Sequence, residues 1–338
     1  MATRVLLSVD TELTWRHFAG GADWRRNLDL SFNACGVGVP WQLGRLAAHG
    51  LKACFFVDPM PALVYGIEPI KRMVAPILAA GQEIQLHVHS FWFDVAGGRR
   101  DKARFELTEF PADAQRDLIA RARDLLTAAG APPPIAFRSG SFAANADTLD
   151  ALRSLGFSHD SSHCGAEHPW PSALPFDPAL IEPFDCGGLV EVPITHIRRR
   201  DGGLRPMQLC ALSRAELEAA LRHADHNAHS LVTIVSHSFE LASRDGKRIN
   251  RLVRDRFEWL CAHLADRRSA MPTVSFADLP APRPAAAAKP MPAEPLREIW
   301  RIAEQAWGQV RYEQPAIAAG IAAAPSIAAI AAIAAGAD

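Results

Sequence analysis

Short aliphatic runs and longer amphipathic stretches take turns along this chain. The run at 4–9 is apolar and too short for a helix, which predicts a strand of the fully buried kind. Runs of the same character follow at 52–57, 83–86, 135–137, 157–159, 189–194, 231–235 and 273–276. Between them, apolar positions recur at helical spacing over 39–49, 70–80, 112–129, 146–155 and 248–264, with Gly50 and Gly81 placed to stop the first two. Ser213-Arg214-Ala215-Glu216 has the form of a capping box, opening a helix that ends near His226. Residues 10–37 lack a clear period and read as a long loop.

Strands separated by helices through short connections imply parallel pairing with right-handed crossovers. Seven or so strands over residues 1–279 predict an α/β fold, a distorted (β/α) barrel in preference to a doubly wound sheet, and no GxGxxG follows the first strand. Past Leu279 the composition changes. Residues 280–295 are mostly Pro and Ala and read as a linker. Residues 296–312 suit an amphipathic helix displaying Leu296, Ile299, Trp300, Ala303 and Trp307, and residues 313–338 form an Ala/Ile-rich tail expected to be disordered. Membrane contact through that tail is the lesser expectation, because alanine contributes little apolar area and Pro325 interrupts the stretch.

Composition narrows the partners. The formal net charge is -1 with the signs interspersed, so nucleic acid is not an expected partner. The cysteines are Cys35, Cys54, Cys164, Cys186, Cys210 and Cys261. Their wide spacing, without a CxxC pair, suits a reducing compartment. The chain enters polar sequence directly after its first strand, with no apolar leader, so a cytoplasmic location is the expectation.

Several apolar runs end in polar clusters, which in α/β proteins is where catalytic groups gather. Asp10 and Glu12 follow the first strand, and one carboxylate of such a pair can serve as a base while the other binds metal. His87 and His89 are two apart, so on a strand both rings share one side. Imidazole with carboxylate suits one divalent ion, zinc before nickel, cobalt or iron. Trp15, Trp24, Trp92 and Phe142 also follow strand ends, where flat rings could cover sugars, and Glu240 could line the same pocket or bind a basic partner.

In this order the motifs resemble those of the polysaccharide deacetylase superfamily with its NodB-type domain. Ser8-Val9-Asp10-Thr11-Glu12 resembles the acidic motif, the stretch from Gly81 to His89 the histidine motif, Phe137-Arg138-Ser139-Gly140-Ser141 the arginine motif, the stretch from Leu152 to Ser162 the following strand and aspartate, and Val235-Ser236-His237-Ser238 the last histidine motif. Thr11 stands where the family usually has a second aspartate, and Phe91 stands four after His87 where it usually has a second histidine.

The resemblance therefore implies a divergent member with Asp10 as base, Glu12, His87 and His89 as ligands, His237 as acid, Arg138 restraining Asp10, and Asp160 tuning His237. It implies a metal-dependent N-deacetylase acting on an N-acetylated carbohydrate; the expected cytoplasmic location makes a nucleotide- or lipid-linked glycan precursor the expected form. A carbohydrate-binding module without catalysis and an allantoinase-like hydrolase of a small amide are the alternatives with the same motifs.

Overall fold

The computed structural model describes residues 2–279, 282 and 288–313. Ten strands are present among them: β1 (Arg4–Thr11), β2 (Cys54–Val57), β3 (Glu83–Val88), β4 (Ala136–Ser139), β5 (His159–Asp160), β6 (Phe184–Asp185), β7 (Val190–Glu191), β8 (His196–Arg198), β9 (Leu204–Pro206) and β10 (Leu231–His237). An eight-stranded sheet runs in the order β10-β1-β2-β3-β4-β5-β7-β6, with every pairing parallel except β6 with β7. β8 and β9 form a separate hairpin.

The sheet curls toward closure through single bonds instead of a ladder. Val192 N–H donates to Asp160 O at 2.7 Å, and Thr195 N–H to Thr233 O at 3.3 Å. Met207 N–H reaches Thr195 O at 2.7 Å, and Val235 N–H returns to Met207 O at 2.9 Å. This is the expected distorted (β/α) barrel. β1 and β2 are buried along nearly their whole length because helices cover the outer face and packed side chains fill the inner one.

The helices follow their predicted faces. Val39–His49 buries Val39, Gln42, Leu43 and Leu46, and Gly50 ends it in the left-handed region at φ 62°. Ala112–Ala128 buries Leu118, Ile119, Ala122 and Leu126, and Ser213 caps Arg214–His226 through the reciprocal bonds of a capping box.

Two expectations are corrected. Residues 10–37 are not one loop: they hold the helices Trp15–Ala19 and Trp24–Phe32, the latter capped by Asp23 accepting from Arg26 N–H at 2.8 Å. Its inward face is largely polar, with Asn27 and Ser31 bonded to Thr14, so no apolar period betrays it. The run at 273–276 is not a strand either. Only Thr273 bridges Val5, after which Ser275 and Asp278 cap a short helical turn.

The helix Pro295–Gly308 is docked by its charged side. Arg301, buried, pairs with Glu216 at 3.2 Å, and Arg256 pairs with Glu304 at 2.8 Å. Leu296, Ile299, Trp300, Ile302 and Trp307 are exposed among the described residues. The expected tail lies, from residue 314 on, outside the described residues. No described helix is long and apolar enough to cross a membrane.

Candidate functional site

Parallel register gathers the polar strand ends at one end of the barrel. β1 sets Asp10 opposite His237 of β10, and β3 sets His87 opposite Arg138 of β4. Ser8 and Asp10, two apart on β1, share a face and both meet the Arg138 guanidinium. Arg138 Nη1 donates to Asp10 Oδ1 at 2.6 Å and to Ser8 Oγ at 2.9 Å, while its Nε and Nη2 bond Ser161 O and Oγ at 3.2 and 3.1 Å. The guanidinium also lies 4.1 Å from the Phe56 ring centroid. Arg138 and Asp10 are both buried, so their forked contacts replace lost hydration and fix the carboxylate's orientation.

Glu12, the first residue beyond β1, meets both histidines. Its Oε2 lies 3.4 Å from His87 Nε2 and is in direct contact with His89 Nε2. His87 Nδ1 lies 2.8 Å from the carbonyl oxygen of Arg138. A carbonyl can only accept, so Nδ1 carries a proton and Nε2 is the ring atom that faces Glu12. The three donor atoms lie within 4.8 Å of one another, a set able to hold a divalent metal. Burial alone would raise the Glu12 carboxyl, but the two imidazoles hold it well below the usual carboxylate range. Burial likewise disfavours charge on His89, yet Glu12, Asp58 and Glu106 push it up to about 9.

Gly140 makes room for this arrangement. A Cβ there would stand 2.4 Å from His89 Nδ1. Gly140→Ala is therefore expected to displace the ring and weaken metal binding by about 10–100-fold, as loss of a ligand's orienting contacts does, with the fold intact. Equilibrium dialysis against zinc, beside a circular dichroism spectrum, checks it; wild-type affinity would show that the ring is free to move aside.

On the other side of Asp10, His237 Nε2 lies 4.0 Å from Asp10 Oδ2, leaving a narrow gap between them. Glu240 Oε2 lies 3.2 Å from His237 Nδ1, and Ser236 Oγ donates to Glu240 Oε1 at 2.7 Å. Burial works against the imidazolium, but Cys210, Glu240 and Asp10 together hold His237 well above its ordinary value.

The carboxylate beside His237 is thus Glu240, where the resemblance had implied Asp160. Asp160 is on β5, directly opposite Glu191 of β7, and both are fully buried. Asp160 Oδ1 accepts from Ser162 Oγ at 2.7 Å, and Glu191 Oε1 from His163 N–H at 3.0 Å. Burial, reinforced for Glu191 by the Asp160 charge, raises both carboxyls, Glu191 well above the carboxylate range, so the pair retains a proton.

This has a consequence for stability. Unfolded glutamate loses its proton near pH 4.3, roughly, whereas native Glu191 keeps it, so stability falls as pH rises from there toward the native value. Glu191→Gln is expected to flatten that decline. Melting temperatures of both proteins between roughly pH 5 and pH 9 test it, and parallel profiles would contradict it.

The aromatic candidates divide. Trp92 is fully buried against Trp15, Phe18, Tyr65 and Phe91, and so presents no ring face to a solute. Phe142 is also buried, turned by left-handed backbone at Ser141 and Phe142 into a cluster with Cys164, Ile194 and Val235. Trp15 and Trp24 remain partly exposed, and Trp24 lies under the Arg25 and Arg72 guanidinium groups at 4.4 and 5.3 Å.

Two acidic residues belong beside the cluster and were missed. Asp58, directly after β2, is buried with Oδ2 unbonded among the described residues, and burial against the opposing pull of His89 and His87 raises it to about 6. Its signal, a carboxylate ending an apolar run, is the one that marks Asp10. Glu106 is raised by burial to about 7, with His89 and Ser141 opposing the shift. It lies in a loop far from any strand run.

No family model matches the chain, and no curated protein does. Solved structures do. A 4-α-glucanotransferase from Thermococcus litoralis superposes with a TM-score of 0.52 at 10% identity over 84% of this chain and 42% of that one, so this chain spans less than half of that enzyme. The fold is a NodB-like distorted barrel. A protein from Mycobacterium smegmatis, assigned by inference to the polysaccharide deacetylases, is 20% identical over 85% of this chain and 95% of its own, with a TM-score of 0.48. A family 4 carbohydrate esterase from Streptomyces lividans, solved with acetate, is 11% identical over 85% and 98%, with a TM-score of 0.42. On the NodB-like barrel of this chain, the Glu12 cluster and the Asp10–His237 gap lie side by side at the strand ends.

Proposed function

We propose that this chain is a divergent member of the polysaccharide deacetylase superfamily, a metal-dependent hydrolase that removes the acetyl group from an N-acetylated amino sugar or its conjugate. The observation that carries the reading is the adjacency of three groups: a carboxylate fixed by a buried arginine, a histidine held protonated across a 4.0 Å gap from it, and a Glu–His–His donor set beside both.

The donor set fits a metal. His87 is oriented by the Arg138 carbonyl with Nε2 turned to Glu12, and His89 sits in space that only glycine at position 140 leaves open. Glu12, His87 and His89 would hold one divalent ion, zinc first, with nickel, cobalt or iron as other choices. Such an ion supplies Lewis acidity toward a carbonyl and a water of lowered pKa.

The remaining chemistry falls to the chain's own groups. Asp10, with one oxygen fixed by Arg138, which Ser8 in turn helps to hold, has Oδ2 free to accept a proton from the attacking water. The water oxygen bonds to the amide carbon. As the carbon–nitrogen bond breaks, His237 delivers its proton from Nε2 to the departing amine, and acetate and a free amine result. Glu240 at Nδ1 orients the ring and favours its charged form. Of the four aromatic residues expected to meet a sugar ring, Trp15 and Trp24 are the ones partly exposed, Trp24 with two guanidinium groups over its ring.

Metal content of the purified protein and of Glu12→Ala, His87→Ala and His89→Ala, after equilibration with zinc, tests the site. One equivalent is expected in this set for wild type and its loss in each variant; unchanged content in the two histidine variants would refute it.

A further inference from the structure

Beside the Asp10–His237 gap is a second group of donor atoms, of which the hydrolytic chemistry uses His237 and Glu240 but leaves Cys210 without a role. Cys210 Sγ, a ring nitrogen of His237 and a carboxylate oxygen of Glu240 all lie within 4.8 Å of one another. Leu209 N–H donates to Val235 O at 3.0 Å and so pins the neighbouring cysteine against the end of β10. Glu240 is steadied through Ser236 Oγ, which in turn accepts from Gln42 Nε2 at 3.2 Å. His237 Nδ1 lies on this side, 3.2 Å from Glu240, while Nε2 lies 4.0 Å from Asp10. Cys210 reaches the surface, so an ion can arrive from solvent, and burial beside Glu240 pushes its thiol up to about 11, a proton the ion must displace.

We infer that Cys210, His237 and Glu240 form a second, inhibitory site for a thiophilic divalent ion such as zinc. Thiolate, imidazole and carboxylate together suit zinc or cobalt, and magnesium, which prefers oxygen ligands, is not expected to compete there. Binding would release the thiol proton and the Nδ1 proton to solvent. With its Nδ1 lone pair committed, the His237 ring keeps its Nε2 proton but only as a neutral, metal-bound imidazole, a far weaker acid than imidazolium, so transfer of that proton to the amine is suppressed. The inhibitory consequence rests on His237 as the proton donor; the binding itself does not.

Cobalt(II) titration of the full chain separates the two. At saturation the wild type is expected to develop a near-ultraviolet thiolate-to-cobalt charge-transfer band. Cys210→Ser should lose that band and one equivalent of metal, whereas His89→Ala should keep the band and lose the other equivalent. Zinc should also protect Cys210 from iodoacetamide in the unmodified chain, read by peptide mass spectrometry, with exposed Cys35 as the internal control. In turnover, zinc beyond the first equivalent should abolish wild-type activity but leave Cys210→Ser active. Absence of the band in wild type, its persistence in Cys210→Ser, or alkylation of Cys210 unaffected by zinc would overturn the site. An intact band with no inhibition would instead overturn the inhibitory role.

Discussion

Asp10→Asn is expected to lower turnover by at least about 10²-fold while metal content stays at the wild-type level. Asparagine has nearly the same shape, and its Oδ1 can still accept from Arg138 Nη1, so the strand end should keep its geometry. What it cannot do is take a proton from water. The substitution also removes one of the charges that favour imidazolium at His237, so acid and base are weakened together. Steady-state rates at one equivalent of zinc, with metal content measured on the same samples, decide the matter. Wild-type turnover in this variant would remove Asp10 from the chemistry.

Arg138→Met is expected to have the largest effect on stability, about 3–5 kcal/mol, because it leaves a buried carboxylate without its counter-charge. Four hydrogen bonds from the guanidinium, to Asp10, Ser8 and both oxygens of Ser161, tie β1 to β4 and to the segment after β5. Methionine fills similar space over Phe56 but satisfies none of them. Urea denaturation measures the loss. The double variant Asp10→Asn with Arg138→Met should be destabilised by less than the sum of the two single changes, since a neutral amide at position 10 leaves no buried charge to be stranded by the loss of the guanidinium. A single-variant effect below about 1 kcal/mol would mean that water reaches this pair.

The barrel was legible because its main strands are short, open on apolar runs and are separated by helices of clear period. That pattern locates the ends of β1, β3, β4 and β10, and hence Asp10, His87, Arg138 and His237. It does not carry the register that sets Asp10 opposite His237, residues far apart in the chain that only the parallel pairing of β1 with β10 brings together.

Where polar side chains do the packing, the pattern fails. The Trp24–Phe32 helix buries Asn27 and Ser31 in hydrogen bonds to Thr14 and so resembles a loop. Asp160 and Glu240 expose the same weakness in another form. Both are acidic residues near strand ends, but Asp160 is drawn to a proton-sharing partner across β5 and β7, and it is the turn after β10 that brings Glu240 back to His237. Trp92 follows a strand end as expected of a ring that covers substrate, yet the helix Phe91–Ala96 rolls it inward against other aromatics.

The central claim is hydrolysis of an N-acetyl group by this constellation. Its most direct test is simultaneous measurement of acetate and free amine from N-acetylated amino sugars, their oligomers, and nucleotide- and lipid-linked forms, using the full chain loaded with one equivalent of zinc, beside His237→Ala. Equal amounts of acetate and amine from at least one of these substrates are predicted for the wild type, with both products lost in His237→Ala. Saturable sugar binding with no acetate from any of them, in protein carrying its metal, would contradict the account.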